Sequence, residues 1–399
     1  MIIQPAERTQ SVKPYYFSVK NPEIARLSAE RVARGLDPVI NLGIGAPDQM
    51  PPAAAIETLR ATALLPDSHK YQNYRGLPEL RSAFADWYAR YYGVTLDPAT
   101  DIQPLMGSKE GILLISMAFV NPGDKVLVPD PGYPTYTSAS RLVGAQMLTY
   151  DLSPEGGWQP DFDALESMDL QGVKLMWVNY PNMPTGAPAE PETYARLVAF
   201  GMKHNILIVN DNPYSFILND RPVSILSVPG ARACCLEMNS LSKAHNMSGW
   251  RIGMVCGDKD YVAEVLKVKS QMDSGMFRPL QLAAIEALGQ GPAWFEQLNA
   301  TYRERLVRVC QLFDLLGVQY NPHSQGLFVW GKVSPDNRFL SGDAAKTLGE
   351  QVSDKLLYEA GVFVTPGMVF GRNGQDYIRA SLCATVPLLE KAIEKVSSL

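Results

Sequence analysis

The sequence lacks any apolar run long enough to cross a bilayer. The longest, Gly111 to Val120, falls far short of the roughly 20 residues that a helical span needs. It also lacks a basic field. Lys and Arg number 36 against 41 Asp and Glu, a net charge of −5 spread along the chain, which argues against duplex nucleic acid and anionic membrane as partners. Cysteines are few and odd in number (Cys234, Cys235, Cys256, Cys310, Cys383), and the adjacent pair does not suit ordinary disulfide geometry. They are read as reduced thiols of a cytoplasmic protein. The four histidines, His69, His204, His245 and His323, are scattered without ligand spacing, so no metal is expected. The N-terminus, MIIQPAERTQ, carries Glu7 and no apolar signal core. Repeats, charge runs and low-complexity linkers are absent. What the chain does have is 399 residues at 46% hydrophobic, enough for a large core, which rules out a disordered or fibrous protein.

The segment up to about residue 45 is polar and Tyr-rich and ends in the turn-dense stretch Asn41 to Asp48. Beyond it, short apolar runs at 125–130, 174–180, 205–211, 233–239 and 251–257 alternate with helix-like stretches such as Glu192 to Lys203. That alternation predicts an α/β fold with a doubly wound, mostly parallel sheet. Past about residue 290 the pattern turns to long amphipathic helices, Trp294 to Leu316 and Ala344 to Ala360, with strands at 327–333, 362–365 and 377–382. The expected division is an N-terminal arm contributing to a small domain (1–45), a large domain (46–290) and a small α+β C-terminal domain (291–399).

Three segments carry chemistry. In Asn239 to Gly253 (NSLSKAHNMSGWRIG), Lys243 follows an apolar strand and would end inside the fold, where desolvation lowers an amine's pKa and makes it nucleophilic. Ser240, Ser242 and Arg251 offer donors suited to a phosphate dianion. A surface lysine between turn serines is the alternative. In Met106 to Gly111, Gly107 and Ser108 open a helix whose N-terminus could hold the same phosphate, although Gly-Ser turns start many helices with no ligand. In Val209 to Tyr214, Asp211 sits at the carboxyl end of a strand, where open α/β sheets bind ligands, or else caps a helix.

Together with Tyr71, Gly76, Leu80 and Arg81, Pro131 to Tyr136, Asn179 to Gly186 and Tyr377 to Arg379, these segments fall in the order and approximate spacing of the class I/II, fold-type I pyridoxal-phosphate aminotransferases, which the chain resembles over nearly its whole length. The SLSK and GWRIG blocks are the most specific part.

The resemblance implies pyridoxal 5′-phosphate as cofactor, bonded to Lys243, whose freed amine then moves the substrate proton. It implies Asp211 paired with the ring nitrogen, Tyr214 bonded to the phenolic oxygen and Tyr133 stacked on the ring. The phosphate would go to Ser108, Ser240, Ser242 and Arg251 with Gly107 nearby and Lys109 beside it. Tyr71 would reach the phosphate of a neighbouring subunit in a homodimer with shared active sites. Arg379 would clamp the substrate α-carboxylate, Gly45 would let backbone approach it, and Tyr15 would form part of a lid. One departure stands out. Most relatives read Asn-Pro-Thr-Gly where this chain has Met183-Pro-Thr-Gly, which loses a donor to the phenolic oxygen; either Asn182 takes over that contact or the oxygen relies on Tyr214 alone. His245, close behind Lys243, is read either as structural or as a support for the residues that line the site.

The Gly107 to Gly111 and Asn246 to Gly253 blocks resemble the branch of LL-diaminopimelate and bacterial alanine aminotransferases. The expected substrates are therefore an L-amino acid and a 2-oxo acid, with glutamate and 2-oxoglutarate as one pair. Lys109 could meet a distal carboxylate or be a solvated lysine at a helix start, and Arg278 could read an acidic substrate or lie on the surface. A β-lyase on the same fold is the competing enzyme. A transcription regulator borrowing this fold would need a basic N-terminal domain for which 45 residues leave no room. A pseudoenzyme would not be expected to keep Lys243, Asp211 and Arg379 together.

Overall fold

A computed structural model describes residues 2–399. Seven strands form the main sheet: β1 (Ile102–Leu105), β2 (Lys125–Asp130), β3 (Gln146–Asp151), β4 (Val173–Val178), β5 (Leu207–Asp211), β6 (Cys235–Ser240) and β7 (Gly253–Gly257). Their order is β1-β7-β6-β5-β4-β2-β3. Only β7 runs against its neighbours; β6, β5, β4, β2 and β3 are parallel. The central strands are buried on both faces, which explains their unbroken apolar runs. Along β4 and β5 the side chains divide between two layers: Met176, Val178 and Ile208 join one core cluster, while Leu175, Trp177, Leu207 and Val209 join the other.

This topology aligns the carboxyl ends of β1, β2, β4, β5 and β6 along one edge, the edge at which such sheets bind ligands. Because β7 is antiparallel, its amino end lies at that edge too, and Arg251 arrives there from the other direction.

A second sheet, ordered β10-β11-β9-β8, comprises β8 (Gln319–Tyr320), β9 (Phe328–Lys332), β10 (Thr365–Pro366) and β11 (Tyr377–Ser381). It packs on the helices Pro292–Leu316 and Val386–Ser397 through one core. The N-terminal arm contributes: Ile40 and Asn41 pair in parallel with Val362 and Phe363. The arm also holds an 18-residue helix, Tyr16–Ala33, that polar composition and an internal Pro22 conceal in the sequence. The helix expected from Ala344 starts later, at Leu348, where Thr347 and Glu350 form a reciprocal capping box.

Candidate active site

Where the ligand edge of the large sheet meets the second sheet and the N-terminal arm there is a cavity of about 500 Å³. At its floor β5 ends in Asp211. This carboxylate is buried, and desolvation raises it to about 6 against hydrogen bonds that favour the charged form. The Tyr136 hydroxyl donates to its Oδ2 at 3.0 Å, while Oδ1 has no partner among the described residues. A buried acceptor left open in a cavity wall suits a cationic N–H.

Lys243 lies in the short helix Leu241–Ala244 just after β6, and its Nζ donates to the carbonyl of Gly45. Burial, with Arg379 and Arg251 adding repulsion, lowers its pKa to about 8, a penalty on the ammonium of about 3 kcal/mol. A substantial neutral fraction at neutral pH is what a nucleophilic amine requires. Tyr214 faces the same space and burial keeps its phenol protonated. Tyr133 also lines the cavity, edge-on to Tyr136 at 5.5 Å.

One end of the cavity is an anion cradle. Ser108 opens the 12-residue helix Ser108–Phe119, so backbone donors and the helix dipole point at it. Gly107 precedes it at φ +80°, and a Cβ there would overlap the Arg251 guanidinium. Arg251 itself holds a left-handed φ of +56°, a strained conformation for a long side chain. Its Nη1 reaches Ser248 O at 2.8 Å and Ser242 Oγ at 3.4 Å, and Ser240 Oγ lies 2.8 Å from Ser242 Oγ. No carboxylate pairs with Arg251 among the described residues.

The opposite end is built around Arg379 on β11. Its guanidinium is stacked 3.8 Å from the Phe328 ring centre and 4.5 Å from that of Phe370. Nη2 donates to Gly43 O at 2.9 Å, Nη1 to Met183 Sδ at 3.2 Å, and Nε has no partner. Burial lowers this guanidinium to about 10, yet no acid neutralises it. A buried cation with unused donors is a carboxylate receptor. Gly45 borders it, and a Cβ at that position would run into Phe328. At the mouth, Lys109 stands 4.5 Å over the Tyr15 ring, and Tyr15 and Tyr133 line the same cavity. Desolvation and Arg251 together lower the Lys109 ammonium.

Three residues considered from the sequence are not brought together with the rest. Asn182 is occupied within its own turn: Nδ2 donates to Asn179 O at 3.1 Å and Oδ1 accepts from Thr185 Oγ1 at 2.7 Å. Asn182 does not line the cavity, and Met183 occupies the wall instead. Tyr71 is 91% exposed and lies on a separate groove with Lys70 and Phe277. Arg278 begins the helix Arg278–Leu288 outside the cavity.

Other residues were not singled out from sequence. Tyr136 stacks on Trp177 at 5.2 Å while holding Asp211. Asn179 accepts the Met183 N–H at 2.9 Å and donates to the Asp211 carbonyl, joining two loops. Both lie in motifs that were noted; their partners are distant in sequence. His245 is fully buried against Trp87, at 4.7 Å, and Phe295, and desolvation lowers it to about 3.

Comparison with known proteins agrees with this chemistry. Residues 37–396 match the family "Aminotransferase class I and II". The chain is 41% identical to an LL-diaminopimelate aminotransferase of Maridesulfovibrio salexigens over 99% of this chain and 98% of that one. It is 39% identical to an enzyme of the same name from Aquifex aeolicus, again over 99% and 98%. Substrate-bound BacF from Bacillus subtilis superimposes with a TM-score of 0.90 at 33% identity, covering 100% of this chain and 98% of that one. A single mutant of Thermus thermophilus aspartate aminotransferase gives 0.88 at 28%, covering 99% of each. The family's cofactor, pyridoxal 5′-phosphate, is a flat ring with a basic nitrogen and a phosphate ester, which the open Asp211 oxygen, Lys243 and the anion cradle fit. This chain belongs to the class I and II aminotransferases and is a pyridoxal-phosphate-dependent transaminase.

Proposed function

We propose that the transaminase takes LL-diaminopimelate as amino donor and 2-oxoglutarate as acceptor. The observation that carries this reading is a pair of cationic side chains facing one cavity without an ion-pair partner among the described residues: Arg379 within it and Lys109 at its mouth. A monocarboxylate needs only Arg379, whereas a dicarboxylate uses both. The name carried by relatives 38–41% identical over nearly the full chain supports the same substrate.

Pyridoxal phosphate supplies an aldehyde that exchanges amines and a cationic ring that takes up the electron pair of a breaking Cα–H bond. The chain's residues divide the remaining work. Ser108, Ser240, Ser242 and Arg251, with the Gly107 backbone, bind the phosphate. Asp211 accepts the ring N–H and is returned to its charged form by it. Tyr214 donates to the phenolic oxygen and Tyr133 covers a ring face. Arg379 takes the α-carboxylate fork to fork, while Phe328 and Phe370 exclude water from that contact. Lys243 Nζ accepts the proton from Cα and returns it on the other side of the transfer. Tyr71, exposed in the single chain, completes the phosphate site of a partner in a homodimer. No helix among the described residues is long and apolar enough to cross a membrane, and all five cysteines are free, in keeping with a cytoplasmic setting.

The test is a donor panel with purified enzyme and 2-oxoglutarate. The highest kcat/KM is expected for LL-diaminopimelate, and Lys109→Ala is expected to reduce it roughly tenfold while sparing alanine, as loss of one exposed charge-assisted contact predicts. Turnover of alanine without LL-diaminopimelate overturns the substrate. Pyruvate and ammonia released without an acceptor would identify a β-lyase.

A further inference from the structure

Lys269 takes no part in the chemistry above, yet its side chain is wholly buried at the end of the helix Lys259–Lys269. Its Nζ lies 3.1 and 3.2 Å from the two carboxylate oxygens of Glu110 and also bonds Asp273. Each acid leads somewhere specific. Glu110 stands in the first turn of the helix Ser108–Phe119, and its Oε2 accepts the Met106 N–H at 2.7 Å, closing a loop around Gly107 and Ser108. Asp273 accepts the Gly275 N–H at 3.2 Å. Gly275, at φ +90°, lies so close to the Gln72 carbonyl that a Cβ would overlap it, and Gln72 follows Tyr71. One ammonium therefore joins the anion cradle to the segment that bears Tyr71.

The charges make this more than a brace. Glu110 sits two residues from Ser108, so an uncompensated carboxylate there would repel a phosphate dianion arriving at the same helix N-terminus. Lys269 lets an acid hold the Met106 N–H without opposing the anion. We propose that Lys269 is a positioning residue for the cofactor phosphate, neutralising Glu110 and fixing the turn that presents Gly107 and Ser108. The proposal rests on the reading of Ser108, Ser242 and Arg251 as the phosphate cradle.

The experiment titrates full-length apo-protein with pyridoxal phosphate and with pyridoxal, which lacks the phosphate, and takes the ratio of the two dissociation constants from absorbance. Lys269→Met is expected to lower the preference for the phosphorylated form roughly tenfold. Adding Glu110→Gln to that variant is expected to restore most of it. An unchanged ratio in Lys269→Met, alongside a lowered ratio in Arg251→Ala, would show Lys269 to be structural only and overturn the proposal. An unchanged ratio in Arg251→Ala as well would overturn the cradle reading, and the proposal with it. Where Lys269→Met does not fold, Lys269→Gln reads the same linkage: the ratio is expected to fall roughly tenfold and to recover when Glu110→Gln is added, and an unchanged ratio overturns the proposal.

Discussion

Lys243 and Lys269 both lie inside the fold, and they differ in what meets the ammonium. Lys269 has two carboxylates in contact, so its charge is matched where it sits. Lys243 bonds one carbonyl oxygen, has Arg379 and Arg251 nearby, and is lowered to about 8. Two buried acids repeat the contrast. Glu237, raised by burial, accepts from Tyr88 Oη at 2.8 Å, Ser224 Oγ at 2.7 Å, Asn210 Nδ2 at 2.8 Å and the Ile225 N–H at 3.1 Å. Asp211 keeps one oxygen open. Burial alone does not mark function; burial left partly uncompensated, with the open donor or acceptor in a cavity, does.

The largest test of that contrast is Lys243→Ala. It is expected to abolish covalent attachment of the cofactor, seen as loss of the visible band, and to lower transamination roughly ten-thousand-fold. The pH dependence sharpens it. Only the neutral amine attacks an aldehyde, so capture of pyridoxal by apo-protein should rise about tenfold per pH unit below a midpoint near 8 and level off above it. A midpoint near the ordinary lysine value would mean that burial does not govern this amine.

Among the acids, Asp211→Asn keeps shape and removes charge. A fall in kcat of roughly a hundredfold is expected, with weaker cofactor binding, because a neutral amide no longer favours a protonated ring. Glu237→Gln is expected to lower thermal stability while leaving kcat within about twofold, since its partners belong to the core rather than the cavity. A comparable loss of kcat in the two variants would break the distinction.

Those compensated and uncompensated groups were unequally legible in the sequence. Lys243 and Asp211 were legible as candidates because each stands at or just past a strand end, whereas Arg379, in the middle of β11, was legible only through the family resemblance that gathers all three; the strand at 125–130 matches β2. Strands β1 and β3 were not read. Ile102–Leu105 is four residues with a proline, and Gln146–Asp151 is largely half-buried or exposed, so neither shows a strong apolar run. Tyr136, Asn179 and the Lys269 cluster depend on contacts 32 to 159 positions apart along the chain, which no local pattern encodes. That Met183 rather than Asn182 lines the cavity depends on which of two adjacent side chains the turn aims there, a matter of backbone geometry rather than composition.

Met183 offers a smaller test. A thioether is a weak acceptor for Arg379 and donates nothing. Met183→Asn would put an amide where the thioether now meets Arg379 and, on the cofactor placement proposed above, is expected to tighten pyridoxal-phosphate binding about fivefold, the worth of one neutral hydrogen bond. Unchanged affinity would mean that Tyr214 already saturates that oxygen.

The last test reads stability rather than chemistry and concerns His245, a buried base with neither nitrogen bonded among the described residues. Its folded pKa of about 3 lies below the unfolded value of about 6.5, so the folded state stays neutral while the unfolded state takes up a proton as the pH falls through 6.5. Stability from this group is therefore intact above pH 6.5 and declines below it, by about 2 kcal/mol at pH 5. His245→Phe, packed against Trp87 and Phe295, removes the titration and should flatten the melting temperature between pH 7 and pH 5 relative to the parent. Because His245 stands two residues from Lys243 without touching the cavity, the capture midpoint near pH 8 should not move. A shifted midpoint would show that its burial is coupled to the reactive lysine, and that the division between packing and chemistry fails at this helix.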